Sequence, residues 1–364
     1  MKKTICLLLC LCTLFSLTAC QGNESPETTE TTEITEPTED TTIPEETIPL
    51  VTEPIVTEPP EFTVTMSFTG DMMLAAYTGH SYKSSFDYYA DTQEPSYFLE
   101  KVKHVFEADD FTIVNLENVF TDRNLKGREK GGSRVFWFKS KTANAEILTC
   151  ASVEGVSLAN NHTYDFGNAG YEDTIKAVAD AGLNYGSEDK IMYFEKEGFK
   201  IAVICSGLWN ESQANDITKM IKEAETQSHF QVVFYHGGTE KEHAPEKWRV
   251  RASRALVDGG ADLVLGNHPH VLQPREIYNG VEIIYSLGNF CYGGHTAPQN
   301  RTMIYQVNLN IDKESLFIKD YGSNIIPCYV YTGNSNNFQP AIIEQEDEIK
   351  RVLDFMNGFI ELPY

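Results

Sequence analysis

Five apolar runs in this chain stop in the same way. FTVTMSF (62–68) runs through Thr69-Gly70 to Asp71, and FTIVN (111–115) leads to Glu117. VEGVSLA (153–159) ends in Asn160-Asn161-His162, FQVVFY (230–235) in His236, and ADLVLG (261–266) in Asn267-His268-Pro269-His270. Each run has the length and composition of a buried strand, and each is followed by a residue that can bind a metal. In open α/β sheets, ligands sit in the crevice at the carboxyl ends of the strands. If the strands are mostly parallel, all five endings meet along one edge. A single strand-end histidine is usually structural, and a lone Gly-Asp is usually a turn. Five endings of one kind are not expected of independent positions.

Between these runs lie helix-like stretches. The pattern predicts helices over 95–109 (Phe98, Val102, Val105 and Phe106 on one face), near 141–151, and over 169–181, 245–260 and 346–358. Hairpins are predicted at 191–205, turning at Glu197-Gly198, and at 275–290, turning at Asn279-Gly280. Strands, helices and hairpins in this order imply an α/β fold with mixed sheets.

The N-terminal part is of another kind. MKKTICLLLCLCTLFSLTAC has a basic start and an apolar run too short to span a bilayer as a helix, which reads as a secretory signal over 1–20. Its ending, Leu17-Thr18-Ala19-Cys20, resembles the lipobox of bacterial lipoproteins, which implies a lipid on Cys20 and an extracytoplasmic, membrane-anchored protein. Residues 21–61 are almost wholly Thr, Glu and Pro, with 12 acidic residues and no Lys or Arg. Such a segment cannot bury enough apolar surface to fold and reads as a disordered spacer. The body, 62–364, carries 41 acidic and 27 basic residues, a net charge of −14 that argues against nucleic acid as a partner. Its cysteines (Cys150, Cys205, Cys291 and Cys328) are far apart and show no zinc-thiolate spacing. Cys205, in the run IAVIC, reads as a small core residue; disulfides among the four stay open.

The densest ending is His268-Pro269-His270. Pro269 biases His268 towards an extended conformation, and residues two apart in an extended chain point the same way, so both imidazoles are expected to project together. A carboxylate, an amide oxygen and several imidazoles suit Zn²⁺, Mn²⁺ or Fe ions. With Glu117 as a bridge there are ligands for two ions roughly 4 Å apart. His80, His104, His229, His243 and His295 read as structural or surface residues.

In this order, FTGDMML, IVNLEN, VSLANNHTYDFG, HGGTE, GADLVLGNHPHVLQ and IIYSLGNF resemble the bacterial capsule-synthesis CapA/PgsA family, over about 62–335. That family resembles the calcineurin-like metallophosphatases, which implies two mixed β-sheets sandwiched between helices. It also implies roles for named residues. Asp71 and His270 would be ligands of a first metal, Glu117 a bridge, and Asn161, His236 and His268 ligands of a second. His162 would protonate a leaving oxygen, with Asp165 orienting it. Glu240 would contact substrate or support the ligands, and Asn289 would be a further substrate contact, although SLGNF reads first as a structural strand exit that frames the cleft. Three positions depart from the pattern: Met73 stands where phosphatases carry histidine, Thr163 where they carry aspartate, and Gly237 where the capsule family often has tryptophan. The resemblance implies a surface protein of poly-γ-glutamate or related capsule biosynthesis, with partners among membrane synthesis and export proteins. A phosphoesterase for another envelope substrate and a non-catalytic scaffold are the alternatives.

Overall fold

A computed structural model describes residues 60–132, 135–292 and 300–364. The signal over 1–20, Cys20, all but the end of the spacer, and His295 lie outside the described residues.

Two large sheets carry the fold. The first contains β1 (Glu61–Met72), β3 (Phe111–Leu116), β6 (Gly155–Ser157), β7 (Asn184–Gly186), β14 (Arg301–Asp312), β15 (Ile318–Tyr329) and β16 (Ala341–Ile342), in the order β16–β15–β14–β1–β3–β6–β7. The second contains β8 (Met192–Lys196), β9 (Phe199–Gly207), β10 (Phe230–His236), β11 (Leu263–Asn267), β12 (Leu272–Tyr278) and β13 (Val281–Leu287), in the order β12–β13–β11–β10–β9–β8. A small third sheet joins β2 (Ala76–Tyr77), β5 (Phe138–Ser140) and β4 (Val119–Phe120) in that order. Strands β1, β3, β6 and β7 are parallel neighbours, as are β9, β10, β11 and β13; the outer pairings are antiparallel. The expected mixed sheets are therefore present. Their parallel cores bring the five polar endings to one edge.

The strand period of two explains the layers. In β10, Val232 and Phe234 face the first sheet, packing with Met66, Phe68 and Val307. Val233 and Tyr235 face the other way, into a cluster with Ile217 and Ile221 of α5 (Ala214–Ala224) and Ala252 and Leu256 of α6 (Lys247–Asp258). The first sheet buries its outer face (Val114, Leu116, Val156, Ile304) against Val178 of α4 (Gly167–Asp180) and against Phe98, Leu99 and Phe106. Helix α7 (Glu346–Met356) closes the inter-sheet core with Val352, Phe355 and Met356. Each such side chain fully buried stabilises by about 1.5–3 kcal/mol relative to exposure.

Both hairpins form at the expected dipeptides, with positive φ at Glu197 (47°), Gly198 (83°), Asn279 (50°) and Gly280 (82°), as two-residue turns require. The helix expected over 95–109 does not form. Pro95–Tyr97 is a 3₁₀ turn, and the only α-helical turn there is α2 (Lys103–Phe106). Val102, at φ −121° and ψ −11°, breaks the helical path. The segment is rich in aromatic and β-branched residues that favour helix weakly, so burial of Phe98, Leu99, Val102 and Phe106 sets its course instead. Cys205 lies in the core, as its apolar setting implied, and all four described cysteines are free thiols.

One glycine contact locks the first sheet to the end of β13. A Cβ at Gly70 would lie 1.8 Å from the carbonyl oxygen of Gly288, backbone that cannot swing aside. Gly70→Ala is expected to cost at least about 3 kcal/mol in urea unfolding, the upper range of overpacking. Gly131→Ala, with open space around it, should change stability by less than about 1 kcal/mol. Equal midpoints for the two variants would show that this contact is not what holds the strands together.

Candidate metal centre

Asp71 sits at the end of β1, wholly buried. Its Oδ1 accepts from Asn115 Nδ2 at 2.7 Å, and its Oδ2 accepts from the backbone amide of His268 at 3.1 Å. His270 Nδ1 lies 3.1 Å from Oδ2, and His236 Nδ1 lies 3.4 Å from Oδ1. Burial pushes this carboxyl up, but hydrogen bonds from His236 and His270, and their charge, hold it well below the usual carboxylate range.

Glu117 follows β3 and is also wholly buried. Among the described residues, neither of its carboxylate oxygens has a hydrogen-bond partner. Around Oε1 stand three imidazole nitrogens: His236 Nε2 at 3.5 Å, His162 Nε2 at 3.8 Å and His270 Nε2 at 3.9 Å. Burial, opposed by the charge of His270 and reinforced by that of Asp71, pushes its pKa well up. A buried polar group without a partner costs about 1–3 kcal/mol, and more when charged. A cation held by these groups would supply the partner.

His236 turns its two nitrogens to different neighbours. Nδ1 faces Asn115 at 3.0 Å and Asp71. Nε2 faces Asn161 Oδ1 at 2.9 Å, His268 Nδ1 at 3.0 Å and Glu117 Oε1 at 3.5 Å. Ligand atoms on a tetrahedral ion with bonds of ~2.1 Å stand ~3.4 Å apart. Asn161, His236, His268 and Glu117 thus suit one divalent ion. Asp71, His270 and Glu117 offer a second, poorer set, because the buried Met73 brings no nitrogen. Ligand atoms within 4.8 Å of one another divide the same residues differently, into Asp71–Glu117–His236 and Glu117–His268–His270; both divisions share Glu117.

The extended geometry expected for His268-Pro269-His270 is not what brings its rings together. His268 has φ 95° and His270 φ 58°, both in the left-handed region that side chains rarely adopt. The segment leaves β11 as a tight turn, and hydrogen bonds to Asp71 and Asn289 hold it there. The rings still converge, with centroids 5.6 Å apart, but through strained turn geometry. Their environments differ sharply. His268 falls to about 2, through burial and the charges of His236 and His270. His270 rises to about 10: burial lowers it, but the charge of Glu117 and the hydrogen bond to Asp71 prevail. Because ligands must be deprotonated, loading an ion here releases that proton.

His162 lies at the rim with Nδ1 2.8 Å from Asp165 Oδ2. Asp165 is wholly buried, and its Oδ2 also accepts from the Phe138 amide at 2.9 Å. Burial lowers the His162 pKa. Thr163 bonds the Asn160 carbonyl at 2.8 Å and shapes the turn that presents Asn161 and His162. Asn289 is buried, with Oδ1 2.8 Å from His270 Nδ1, so in this structure it supports a ligand. Glu240 is exposed, and its charge still bears on Glu117 and His270. His229 stacks on Phe199, and His243 bonds the Leu272 carbonyl; both lie in structural settings.

Four residues of the site were not anticipated. Asn115, a lone amide inside the apolar run FTIVN, joins Asp71 to His236. Lys130 pairs with Asp165 and stands 3.4 Å from His162 Nδ1. Trp209, half-exposed, sets its ring edge-on to His268 and His236, with centroids 4.9 and 5.7 Å away. Tyr292 lies 5.0 Å from the His270 ring. The aromatic wall comes from Trp209 because position 237 has no room for one: a Cβ at Gly237 would lie 2.0 Å from the Leu208 carbonyl oxygen.

The profile of the family described as "Bacterial capsule synthesis protein PGA_cap" matches residues 65–293. The chain belongs to this family. It is 29% identical over 265 residues to the "PGA biosynthesis protein CapA" of Bacillus subtilis, covering 66% of this chain and 67% of that one. It is 28% identical over 267 residues to the "Capsule biosynthesis protein CapA" of Bacillus anthracis, covering 66% and 63%. The match thus spans about two thirds of each relative's length. Among solved structures, a phosphatase of Mycoplasma pneumoniae aligns at TM-score 0.42 and 13% identity, over 74% of this chain and 95% of that one.

If Glu117 is the shared ligand, Glu117→Gln should behave in two opposite ways. Without metal the variant should melt higher than the parent protein, since a buried carboxyl with no donor among the described residues has become an amide that can itself donate to the surrounding imidazoles. Added Mn²⁺ should stabilise the parent by about 2.7 kcal/mol at a hundredfold excess over Kd and leave the variant unmoved. Equal metal-induced shifts in Tm would rule out Glu117 as a ligand.

Proposed function

We propose that this protein is a cell-surface, lipid-anchored component of capsule biosynthesis or export. The polymer is poly-γ-glutamate or a related chain, and the centre is metallophosphatase-like and hydrolytic. The observation that carries the reading is the buried Glu117 carboxylate, without a hydrogen-bond partner and ringed by imidazoles. Family membership and the names of the Bacillus relatives support the capsule assignment.

Asn161, His236, His268 and Glu117 would hold one Mn, Fe or Zn ion, and Asp71 and His270, with Glu117, a second. Such ions, when bound, supply polarisation of a phosphoryl or acyl oxygen and activation of a water. The chain's own groups do the rest. Asp165 accepts the Nδ1 proton of His162, which leaves Nε2 as the atom that exchanges a proton with substrate. Lys130 and the Phe138 amide hold Asp165 in place, so the imidazole cannot rotate away. Trp209 closes one side of the histidine cluster against water. The anchor is Cys20, and the partners are membrane proteins of polymer synthesis and export.

Elemental analysis of the purified protein tests the centre. Mn, Fe or Zn should be present at about one equivalent or more and be lost in a His268→Ala/His270→Ala double variant. His162→Ala should keep its metal while turnover on a panel of phosphomonoesters and phosphodiesters falls about 10²–10⁴-fold. No metal after reconstitution, with the variants folded, would remove the hydrolytic reading and leave an anchored scaffold. Cys20→Ser should move the protein from the membrane fraction to the soluble one; continued membrane association would exclude Cys20 as the anchor.

A further inference from the structure

The body is acidic, yet its cations are not evenly placed. Residues 121–141 contain seven of the 27 basic residues and only two acidic ones, Asp122 and Glu129. Part of this stretch, Thr121–Lys130, leaves β4 as an ordered segment without regular structure and runs to the rim of the metal centre. It is tied down along its length. The Thr121 amide bonds the Ser140 carbonyl at 2.9 Å, and the Arg128 amide bonds the Asp165 carbonyl at 2.8 Å. Arg123 forms a two-pronged pair with Asp173 of α4, with Nε at 2.6 Å and Nη2 at 2.8 Å. Gly127 lies flat on the Trp137 indole, where a Cβ would come within 2.6 Å of the ring.

Every second residue from 126 to 130 is a cation: Lys126, Arg128 and Lys130. Lys130 is turned inward, onto Asp165 beside His162. Lys126 and Arg128 are exposed, and neither makes an ion pair among the described residues. The other described cations of the stretch are engaged: Arg123 by Asp173, Lys141 by Asp91 at 2.6 Å, and Lys139 by the Arg123 carbonyl at 3.1 Å. A rigid segment that holds two uncompensated cations next to a hydrolytic centre, on an acidic body, is built to receive negative charge.

We propose that Thr121–Lys130 is a docking track for an extended polycarboxylate, with Lys126 and Arg128 engaging successive carboxylates and directing the chain towards His162. This rests on the capsule-polymer reading above and names what that site would grip. Lys126 and Arg128 are separated by one residue and both are exposed, which suits them to a polymer that carries one carboxylate in every repeat.

Fluorescently labelled poly-γ-glutamate, titrated by anisotropy against the full chain in a neutral detergent, tests this. The parent protein should bind it, more weakly as salt rises, and should ignore a neutral dextran of similar size. Lys126→Glu/Arg128→Glu should weaken binding about tenfold or more while metal content stays at the parent level, which reports an intact fold. Lys126→Arg/Arg128→Lys should bind like the parent. Unchanged binding in the charge-reversed variant, or preference for polyphosphate over poly-γ-glutamate, overturns the track. A parent protein that binds no poly-γ-glutamate overturns both the track and the polymer assignment. Binding lost on charge reversal in a protein that holds no metal keeps the track and removes only the hydrolytic chemistry.

Discussion

Asp71 is where the two sheets are tied to each other. Its amide bonds the Gly288 carbonyl at 2.9 Å, and its carbonyl accepts from Phe290 at 2.8 Å, so the end of β1 runs beside the exit of β13. Its side chain then reaches Asn115 of β3 on one oxygen and the backbone of His268 on the other. One buried residue thus joins two strands of the first sheet to two loops of the second. The close approach of Gly70 to Gly288 is what permits it. A carboxylate there would be costly alone; four polar partners make it the best satisfied acid of the centre, beside Glu117, the least satisfied.

That contrast explains how the site divides its work. Asp71 is held by protein donors whether or not an ion is present, so it shapes the pocket. Glu117 has no such donors among the described residues, so it is the acid that a cation at the centre would satisfy. The strained backbone at His268 and His270 points the same way: two non-glycine residues with positive φ persist because Asp71 and Asn289 hold the turn from both sides.

The sheets, both hairpins and the convergence of Asp71, Glu117, Asn161, His162, His236, His268 and His270 were legible in the sequence. Each rests on a local signal, namely a strand-length apolar run, a turn dipeptide, or a polar residue where a run stops. What could not be read depends on partners distant in the chain. The stretch 95–109 has a helical face, but burial of Phe98 and Val102 broke the helix. His268-Pro269-His270 reads as extended, but long-range hydrogen bonds bend it. Trp209 and Lys130 carry no local mark, because their roles exist only once β10 and the turn after β6 bring His236 and His162 to them.

Charge shows the same difference between bulk and place. By net charge alone, a body at −14 is a poor host for a polyanion. At physiological ionic strength, however, exposed charges more than about 8 Å apart are largely screened from one another. What an approaching chain meets is the field of the nearest few groups: beside His162 that is Lys130, with Lys126 and Arg128 exposed earlier on the same segment. Acidic residues elsewhere disfavour non-specific adhesion to other anionic surfaces. A polymer that binds through a small cationic track on an otherwise repulsive surface is held at one place and released along the rest of its length. An enzyme or escort that must act repeatedly along a chain requires that balance, and an evenly basic surface would defeat it.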